Sequence, residues 1–239
     1  MACTWFISDL HLDPARPAVT RAFGDFLQAH RDADALYILG DFFEAWIGDD
    51  DDAPLGQEVA ALLADYSAAG PDLYLMQGNR DFLLGEDFAR RAGATLIPDP
   101  TTIDLYGRPV LLMHGDSLCT GDPEYQQFRA LARSPEWQAD ILARPLAERR
   151  ALAAQLRNMS SEANSNKAED IMDVTPEEVD KALTAQGVDC LIHGHTHRPA
   201  RHRHTAGERW VLGDWHASAV VLKASSDSAL SLENLSISN

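Results

Sequence analysis

Five short apolar segments of the chain each end in a tight turn that carries aspartate, asparagine or histidine side chains. The segments are residues 4–8, 35–39, 73–76, 109–113 and 188–192. In the same order, the polar residues that follow them are Asp9 with His11, Asp41, Asn79, His114, and His195 with His197. Short apolar runs bounded by turn signals are typical of buried strands, and helical segments separate most of these runs. Because this alternation predicts a layered α/β fold, we expect the polar residues to gather beyond the carboxyl ends of the strands.

Each of these polar residues has an ordinary explanation when it is taken alone. An aspartate often forms a turn, a histidine is often solvated, and a pair such as His195 and His197 arises by chance on many surfaces. Gly40 before Asp41 permits a sharp backbone turn that aims the carboxylate beyond the strand. Five ordinary explanations would have to hold together, and the repetition therefore favours a common site.

The bulk composition narrows the class of protein. The chain has 239 residues, 45% of them hydrophobic, which is enough for one well-filled domain spanning residues 1–239. A net charge of −17 disfavours a nucleic-acid ligand, and three widely spaced cysteines form neither a disulfide framework nor a CxxC zinc pattern. The N-terminus lacks signal-peptide features, and no apolar run approaches the ~20 residues of a spanning helix. We expect a soluble cytoplasmic protein that can still touch a membrane surface.

Residues 122–174 interrupt the strand pattern with helical segments at 125–133, 135–142 and 146–157. Residues 122–170 contain seven basic and eight acidic side chains, so this part is nearly neutral within an acidic chain. Two interpretations stay open: an ordinary helical subdomain, or a lid over an apolar, anionic ligand. The polar stretch at 158–167 is a loop, a helix start, or the lining of a phosphate or sugar pocket.

Two further stretches have simpler interpretations. The acidic run at residues 49–52 resembles a second metal site, but four adjacent carboxylates cannot all face one ion, which favours a solvated loop. After residue 199, strand-like segments at 200–204, 209–212, 217–223 and 229–235 follow one another with turn-like joins. Their spacing predicts an antiparallel meander.

The strand-end residues form a ligand set of mixed oxygen and nitrogen donors. The set is Asp9, His11, Asp41, Asn79, His114, His195 and His197. Seven ligands are too many for one ion, but they suit two ions with a carboxylate between them. Without a thiolate the set favours Mn²⁺ or Fe²⁺, with Zn²⁺ as a further option. Two ions about 3.5–4 Å apart activate a water and stabilise an attacked phosphorus centre, so the sequence predicts hydrolysis of a phosphoester or phosphoanhydride.

The order and spacing of these residues resemble the signature of the calcineurin-like metallophosphoesterases over residues 4–197. The matching motifs are Asp9-x-His11, Gly40-Asp41, Gly78-Asn79, His114-Gly115 and Gly194-His195-x-His197. The resemblance implies a four-layer αββα sandwich with a dinuclear site bridged by Asp41. It assigns one metal to Asp9, His11, Asp41 and His197. It assigns the other metal to Asp41, Asn79, His114 and His195.

Arg80 occupies the position at which phosphomonoesterases of this family commonly have a histidine that protonates an alkoxide leaving group. A phosphate leaving group has pKa values near 6 or below and departs without a proton. Arg80 would then neutralise phosphates as a bidentate donor, which favours pyrophosphate cleavage unless another acid replaces the histidine. The expected catalytic residues are Asp41, Asn79, Arg80, His114 and His195.

Longer motifs resemble one branch of that family, the UDP-2,3-diacylglucosamine hydrolases of lipid A biosynthesis, over nearly the whole chain. The motifs are GDFFEAWIGDD at 40–50, HGDSLCTGDPEYQQFR at 114–129 and KAEDIMDV at 167–174. The resemblance implies Mn-dependent hydrolysis of UDP-2,3-diacylglucosamine, with a metal-activated water attacking the α-phosphorus. The products would be UMP and 2,3-diacylglucosamine 1-phosphate (lipid X). A helical lid over the acyl chains and a peripheral position on the cytoplasmic face of the inner membrane are implied as well.

The same resemblance assigns substrate contacts and cofactors. The expected contacts are Asn79, Arg80, Asp122, Ser160, Asn164, Lys167 and His195, with Arg157 as a further candidate in the lid. Two Mn²⁺ ions per chain are expected, ahead of Fe²⁺ or Zn²⁺. No obligate protein partner is indicated.

Three other functions compete with this expectation. A hydrolase of a soluble nucleotide diphosphate-sugar or a dinucleoside polyphosphate would use the same active-site residues but would need no apolar chamber. A binding scaffold of the same fold would have an incomplete ligand set, whereas all seven ligands are present here. A nuclease is disfavoured by the net charge of −17 and by the lack of a basic groove signal.

Overall fold

The structure is a computed structural model that describes residues 2–165 and 173–237, with side chains described for all of these except 160–165. The strands are β1 (Cys3–Ile7), β2 (Ala35–Leu39), β3 (Asp72–Met76), β4 (Thr95–Ile97), β5 (Thr101–Leu105), β6 (Arg108–Met113), β7 (Cys190–His193), β8 (Ala200–Arg203), β9 (Glu208–Val211), β10 (Ser218–Ser225) and β11 (Leu230–Ser236). The α-helices are α1 (Pro17–Ala29), α2 (Pro54–Ala68), α3 (Glu86–Ala92), α4 (Pro123–Ala132), α5 (Pro135–Leu142), α6 (Leu146–Ser165) and α7 (Pro176–Gln186).

The strands form two sheets. The first sheet has the order β11-β10-β1-β2-β3-β4, and the second has the order β5-β6-β7-β9-β8. Strands β1 to β4 are parallel, and so are β6, β7 and β9. Because parallel strands end at the same edge, the turns after β1, β2 and β3 lie side by side, as do the turns after β6 and β7.

Helices and the opposite sheet cover both faces of each sheet. In β1, Trp5 and Ile7 pack among the side chains of α1 and α2, whereas Phe6 packs between the two sheets. On the outer face of the second sheet, Leu183 of α7 packs with Leu191 of β7. Strands buried on both faces read as continuous apolar runs, which is the pattern seen in the sequence. The predicted αββα layers are confirmed.

Helices α4, α5 and α6 lie in the segment expected to be an insertion, and α6 docks on the acidic run at residues 49–52. Arg149 of α6 is buried, and its Nη1 donates to Asp50 Oδ1 at 2.7 Å. The neighbouring Arg150 pairs with Asp51 at 2.6 Å. The stretch is a loop with exposed carboxylates, as expected, since the Asp50 and Asp52 side chains are 62% and 76% exposed, and its ion pairs also hold a helix against the body of the protein.

One local prediction is corrected, and one stretch that the sequence left open is assigned to a helix. The C-terminal strands do not form one meander, since β8 pairs with β9 in the second sheet and β10 with β11 in the first. β10 is not in the same sheet as β8 and β9, because it pairs antiparallel with β1 and extends the first sheet, with Leu222 opposite Phe6. The open stretch at 158–167 continues α6 as far as Ser165, since residues 158–165 contain no glycine or proline to end the helix.

α6 is the longest helix in the part of the chain that the structure describes, with 20 residues. It carries charged residues such as Glu148, Arg149 and Arg157. None of the described helices combines the length and the apolar character that crossing a bilayer requires.

Candidate dinuclear metal centre

The seven residues expected as ligands lie together beyond the carboxyl ends of β1, β2, β3, β6 and β7. Six of them form two groups in which the donor atoms lie within 4.8 Å of one another. Group one consists of Asp9, His11 and His197, and group two consists of Asp41, His114 and His195. The seventh, Asn79, joins group two, because its Oδ1 accepts a hydrogen bond from His114 Nε2 at 2.9 Å. The structure thus brings all of the predicted ligands into one place.

Asp41 lies between the two groups. Its Oδ2 is 3.9 Å from Nε2 of His11 in group one, and its Oδ1 is 3.6 Å from Nε2 of His114 in group two. The side chain is only 3% exposed, so water screens it little. A carboxylate that presents one oxygen to each group has the geometry of a bridging ligand.

Five of the seven expected ligands have a left-handed backbone, which is uncommon for residues other than glycine. The φ angles are 55° at Asp9, 48° at His11, 50° at Asp41, 66° at His195 and 53° at His197. Elsewhere in the described chain only Tyr106 and Ser228 share this region among non-glycine residues. Such conformations cost on the order of 1 kcal/mol each and cluster at functional sites. Backbone strain here turns the side chains toward a common centre.

Glycine lets the ligand-bearing turns approach one another closely. Gly40 has a φ of 88°, and a Cβ at this position would lie 2.6 Å from Nδ1 of His114 and 2.7 Å from the backbone of Gly78. Gly194 is similarly confined, since a Cβ there would overlap the side chains of Ser8 and Asp9. The turns after β1, β2, β3, β6 and β7 can therefore pack only because these positions lack a side chain.

Hydrogen bonds tie each turn to a ligand from another strand. The carboxylate of Asp9 accepts from the backbone N–H of His195 at 2.9 Å. The Asp41 carboxylate accepts from the backbone N–H of Arg80 at 2.8 Å. His114 Nδ1 donates to the carbonyl oxygen of Leu39 at 2.9 Å. The orientation of each ligand thus depends on a neighbouring loop.

Asp81 is a structural member of the site to which the sequence assigned no role. Its fully buried carboxylate accepts from the backbone N–H groups of Gly78 at 2.6 Å, Phe42 at 2.7 Å and Phe43 at 3.3 Å. Burial, reinforced by the charge of Asp41, raises the pKa of Asp81 to about 6. The available signal was an aspartate in a Gly-Asn turn, a residue type that commonly accepts hydrogen bonds from turn N–H groups.

Asp116 is a second buried carboxylate that the sequence left without a role. It accepts hydrogen bonds from Tyr125 Oη at 2.7 Å and from Arg129 Nε at 2.9 Å, and both donors belong to α4. Burial opposes its charge, but His114, His195 and Arg129 outweigh burial and hold the pKa of Asp116 well below its usual range. The ring of Tyr125 also stacks on His195, with centroids 6.0 Å apart. The first helix of the insertion is therefore bonded to the floor of the site.

The electrostatics of group two fit a bound cation. Both ring nitrogens of His114 face oxygen acceptors, an arrangement that suits a positively charged ring. Burial opposes that charge, but Asp41, Asp116 and Asp9 outweigh burial and raise the pKa of His114 to about 9. The negative potential that favours this proton also favours a divalent cation in its place.

Group one fits a cation for a different reason. Nε2 of His11 and Nε2 of His197 face each other at 3.2 Å, and Asp9 Oδ1 lies 3.3 Å from the same atom of His197. Two imidazole nitrogens and a carboxylate that converge in this way can share one metal ion. Carboxylate, amide and imidazole donors without a thiolate are the set that Mn²⁺, Fe²⁺ or Zn²⁺ accepts.

A cavity of about 300 Å³ lies between the ligand loops and the insertion. Its polar lining includes Glu44, Asn79, Arg80, Asp122 and Arg157. Its apolar lining includes Trp46, Phe82, Phe128, Trp137, Ile141 and Leu152. An apolar chamber with a polar wall beside the metal groups suits a ligand with a phosphate at one end and hydrocarbon at the other.

The predicted substrate contacts are placed unequally. Asn79, Arg80, Asp122 and Arg157 line the cavity, and His195 belongs to group two. The Asp122 side chain also caps α4 by accepting from the N–H of Tyr125 at 3.1 Å. Ser160 and Asn164 lie on α6, but their side chains are outside the described part of the structure, and Lys167 lies outside the described residues altogether.

In sequence, the chain is similar to one protein family and to named relatives. Residues 4–199 match the family model of the calcineurin-like phosphoesterases. A UDP-2,3-diacylglucosamine hydrolase of Cellvibrio japonicus (strain Ueda107) is 60% identical over 240 residues, covering 98% of this chain and 99% of that protein. The protein of the same name from Marinobacter nauticus is 56% identical over 236 residues, covering 97% of each chain.

Among solved structures, an archaeal phosphodiesterase has a TM-score of 0.52 at 10% identity and covers 98% of this chain and 99% of its own. At that identity the likeness supports the fold alone. The family rests on the sequence relatives, which share more than half of their residues with this chain over nearly its full length. The chain therefore belongs to the calcineurin-like phosphoesterase family, in which it groups with the UDP-2,3-diacylglucosamine hydrolases.

Proposed function

We propose that the protein hydrolyses the pyrophosphate bond of UDP-2,3-diacylglucosamine and releases UMP and 2,3-diacylglucosamine 1-phosphate (lipid X), a step of lipid A biosynthesis. The observation that carries this proposal is the apolar cavity that opens beside the two metal groups. A lipid-linked nucleotide has both the phosphates and the hydrocarbon that such a space accommodates. The names of the full-length relatives support the same substrate.

Two Mn²⁺ ions would be held by the residues described above, one by group one and one by group two with Asn79. Asp41 would contribute one oxygen to each. When bound, the ions supply positive charge that activates a water and stabilises the attacked phosphorus centre. The choice of Mn²⁺ ahead of Fe²⁺ or Zn²⁺ follows the sequence resemblance, and the donors, which are all carboxylate, amide or imidazole groups with no thiolate, are compatible with it.

The remaining chemistry belongs to side chains at the polar wall of the cavity. Water forms a bond to the α-phosphorus, and the bond from that phosphorus to the bridging oxygen breaks. The bridging oxygen leaves with the β-phosphate, while UMP keeps the oxygen from water with one of its two protons, and the other proton is released. Arg80 would neutralise the phosphates, and Asn79, Asp122 and His195 would orient them. A phosphate leaving group needs no general acid, which accounts for an arginine beside Asn79.

In this proposal residues 1–239 form one domain, and the insertion at about 122–174 is a lid over the acyl chains. Arg157, Ser160, Asn164 and Lys167 would contact the glucosamine and its phosphate from the lid. The lid separates this function from hydrolysis of a soluble nucleotide diphosphate-sugar, for which an apolar chamber has no use.

We also propose a peripheral position on the cytoplasmic side of the inner membrane, where the substrate would be collected. Among the described side chains, the large hydrophobic residues with high exposure are Leu131, Leu142 and Met159, at 52%, 42% and 57%. All three belong to the insertion helices. Exposed apolar side chains concentrated in one part of the fold are typical of a surface that contacts lipid.

A comparison of two substrates tests the proposal. With Mn²⁺ present, we expect rapid release of UMP from UDP-2,3-diacylglucosamine and at least about 100-fold lower kcat/KM with UDP-N-acetylglucosamine, since ~3 kcal/mol of acyl-chain burial is missing. Phe128→Ala should raise KM for the lipid substrate and leave the soluble one unchanged. Equal rates on the two substrates would replace this proposal with a hydrolase of soluble nucleotide-sugars.

A further inference from the structure

Glu44 lies between a metal group and the insertion. Its Oε2 is 3.1 Å from Nδ1 of His11, and its Oε1 is 2.5 Å from Nη2 of Arg157 on α6. The carboxylate is largely shielded, with 15% of the side chain exposed. One carboxylate therefore contacts a candidate metal ligand with one oxygen and a residue of the insertion with the other.

The ring of His11 has distinct surroundings on its two sides. Nε2 faces group one, 3.2 Å from Nε2 of His197 and 3.9 Å from Oδ2 of Asp41. Nδ1 is buried and faces Glu44 in a close contact that lacks the alignment of a hydrogen bond. A carboxylate behind a metal-binding imidazole sets the tautomer and the direction of the ring, and losing it typically costs 10–100-fold in metal affinity or activity.

Backbone hydrogen bonds hold Glu44 in register with His11. The N–H of His11 donates to the carbonyl of Asp41 at 2.9 Å, and the N–H of Leu12 donates to the carbonyl of Phe42 at 2.9 Å. The N–H of Glu44 in turn donates to the carbonyl of Leu12 at 3.1 Å. The contact between the two side chains is thus built into the pairing of two loops, and it does not depend on a free surface rotamer.

The partner on the other side comes from a different part of the fold. Arg157 lies on α6 and lines the cavity, and its Nη1 is 3.9 Å from Asp13 Oδ2. Arg16 also approaches Glu44, at 3.7 Å. Glu44 is therefore the shared acceptor of positive groups from the β1 turn and from the insertion.

We propose that Glu44 is a positioning residue that directs His11 toward the metal of group one, and that its ion pair with Arg157 transmits the placement of α6 to that metal. The inference rests on the two-metal site proposed above. It adds a physical connection between the element that would hold the acyl chains and the first metal. Glu44 itself does not touch the substrate phosphates in this scheme.

The first test measures Mn²⁺ binding to the full-length protein by titration calorimetry after chelator treatment. The wild-type chain should bind two ions. Glu44→Ala should weaken one of them by about 10–100-fold and leave the other unchanged, while Glu44→Gln, which keeps an acceptor for Nδ1, should lose less. Asp13→Ala is the matched control, since it removes a carboxylate near Arg157 without touching His11. Excess Mn²⁺ should restore the kcat of Glu44→Ala.

The second test addresses the connection to the insertion. Arg157→Met should weaken the same Mn²⁺ ion by about 2- to 5-fold in the wild-type background and have no added effect in Glu44→Ala, because coupled residues are not additive. Unfolding temperatures of the chelator-treated variants within a few degrees of wild type exclude general damage.

The outcomes are distinguishable. A wild-type chain that binds no Mn²⁺ would contradict the two-metal function itself. A wild-type chain that binds two ions, together with a folded Glu44→Ala that binds both with unchanged affinity, would overturn the positioning role. Additive effects of the Glu44 and Arg157 substitutions would overturn the connection to α6.

Discussion

The two metal groups are supported in different ways, although they share Asp41. In group two, His114 is fully buried and its Nδ1 donates to a backbone carbonyl, that of Leu39. In group one, the second nitrogens of the histidines face side-chain carboxylates: His11 faces Glu44, and His197, which is 37% exposed, lies 3.8 Å from Asp214. His114 of group two is therefore fixed by the sheet backbone, whereas the histidines of group one are oriented by side-chain carboxylates from other loops.

The largest expected effect separates the groups by substitution. His114→Ala removes a buried ligand beside the bridging carboxylate, and it should lower kcat by about 10³-fold, or ~4 kcal/mol of transition-state stabilisation, at any Mn²⁺ concentration. His197→Ala opens group one to water, which can take the vacant position. Its loss of activity should be smaller and should shrink as Mn²⁺ is raised. Steady-state rates over a range of Mn²⁺ concentrations measure both.

His202→Ala is the matched control, since His202 lies on β8 outside both groups. It should behave as wild type. Complete rescue of His114→Ala by Mn²⁺, or no rescue of His197→Ala, would reverse the comparison between the groups.

A smaller effect concerns stability of the chelator-treated protein. Asp41, Asp116 and Asp9 outweigh burial and raise the pKa of His114 to about 9, from an ordinary value of 6.5. Between these values the folded state binds the proton and the unfolded state does not. The stabilisation is thus complete below pH 6.5 and is lost as pH rises toward 9. Urea unfolding should show a loss on the order of 1–3 kcal/mol across this range.

Two controls test this dependence of stability on pH. His114→Gln cannot carry the proton, so most of the dependence between pH 6.5 and 8 should disappear. Saturating Mn²⁺ should stabilise the wild-type chain more at pH 9 than at pH 6.5, because at the lower pH the metal must displace a proton. A flat wild-type profile without metal would show that group two does not attract positive charge as strongly as its surroundings indicate.

The smallest effect is expected at the exposed edge of group one. Asp214→Asn removes the charge that faces His197 Nδ1, but Asp214 is 43% exposed and 3.8 Å away. Pairs of this kind contribute less than about 1 kcal/mol, so the Mn²⁺ affinity of group one should fall by no more than about 5-fold. Calorimetric titration provides the measurement. A loss as large as that expected for Glu44→Ala would show that His197 and His11 are equally dependent on their carboxylates.

Much of the fold could be predicted because local signals and tertiary structure agree. The runs that became β1, β2 and β3 are apolar on both faces, and each is followed by a turn and a ligand-type residue. The C-terminal strands were placed in one meander because turn signals report which strands are neighbours in the chain and not which sheet they join. The pairing of β10 with β1 determines that β10 joins the first sheet, and no local sequence pattern encodes this pairing.

The same limit of local sequence patterns applies to the candidate site. Ligands could be recognised one by one, since each follows its own strand. Glu44 and Asp116 could not be assigned a role, because their partners lie on other loops or on α4 and α6, whereas Asp81 has one partner, Gly78, in its own turn and others on the turn after β2. The acidic run at 49–52 is a further example, since its arginine partners are about 100 residues away in the chain.

The left-handed backbone at five ligands implies a conflict between thermal stability and catalytic activity. Glycine adopts this conformation without steric penalty, so replacing His197, whose side chain is 37% exposed, with glycine would relax the local backbone while deleting a ligand. Selection for thermal stability of the protein alone would then enrich glycine at such a ligand position. The selected variants would resist heat but would be inactive. Sequencing such a selected library, with and without a parallel demand for turnover, would reveal how much robustness the chain gives up to keep its metal-binding turns.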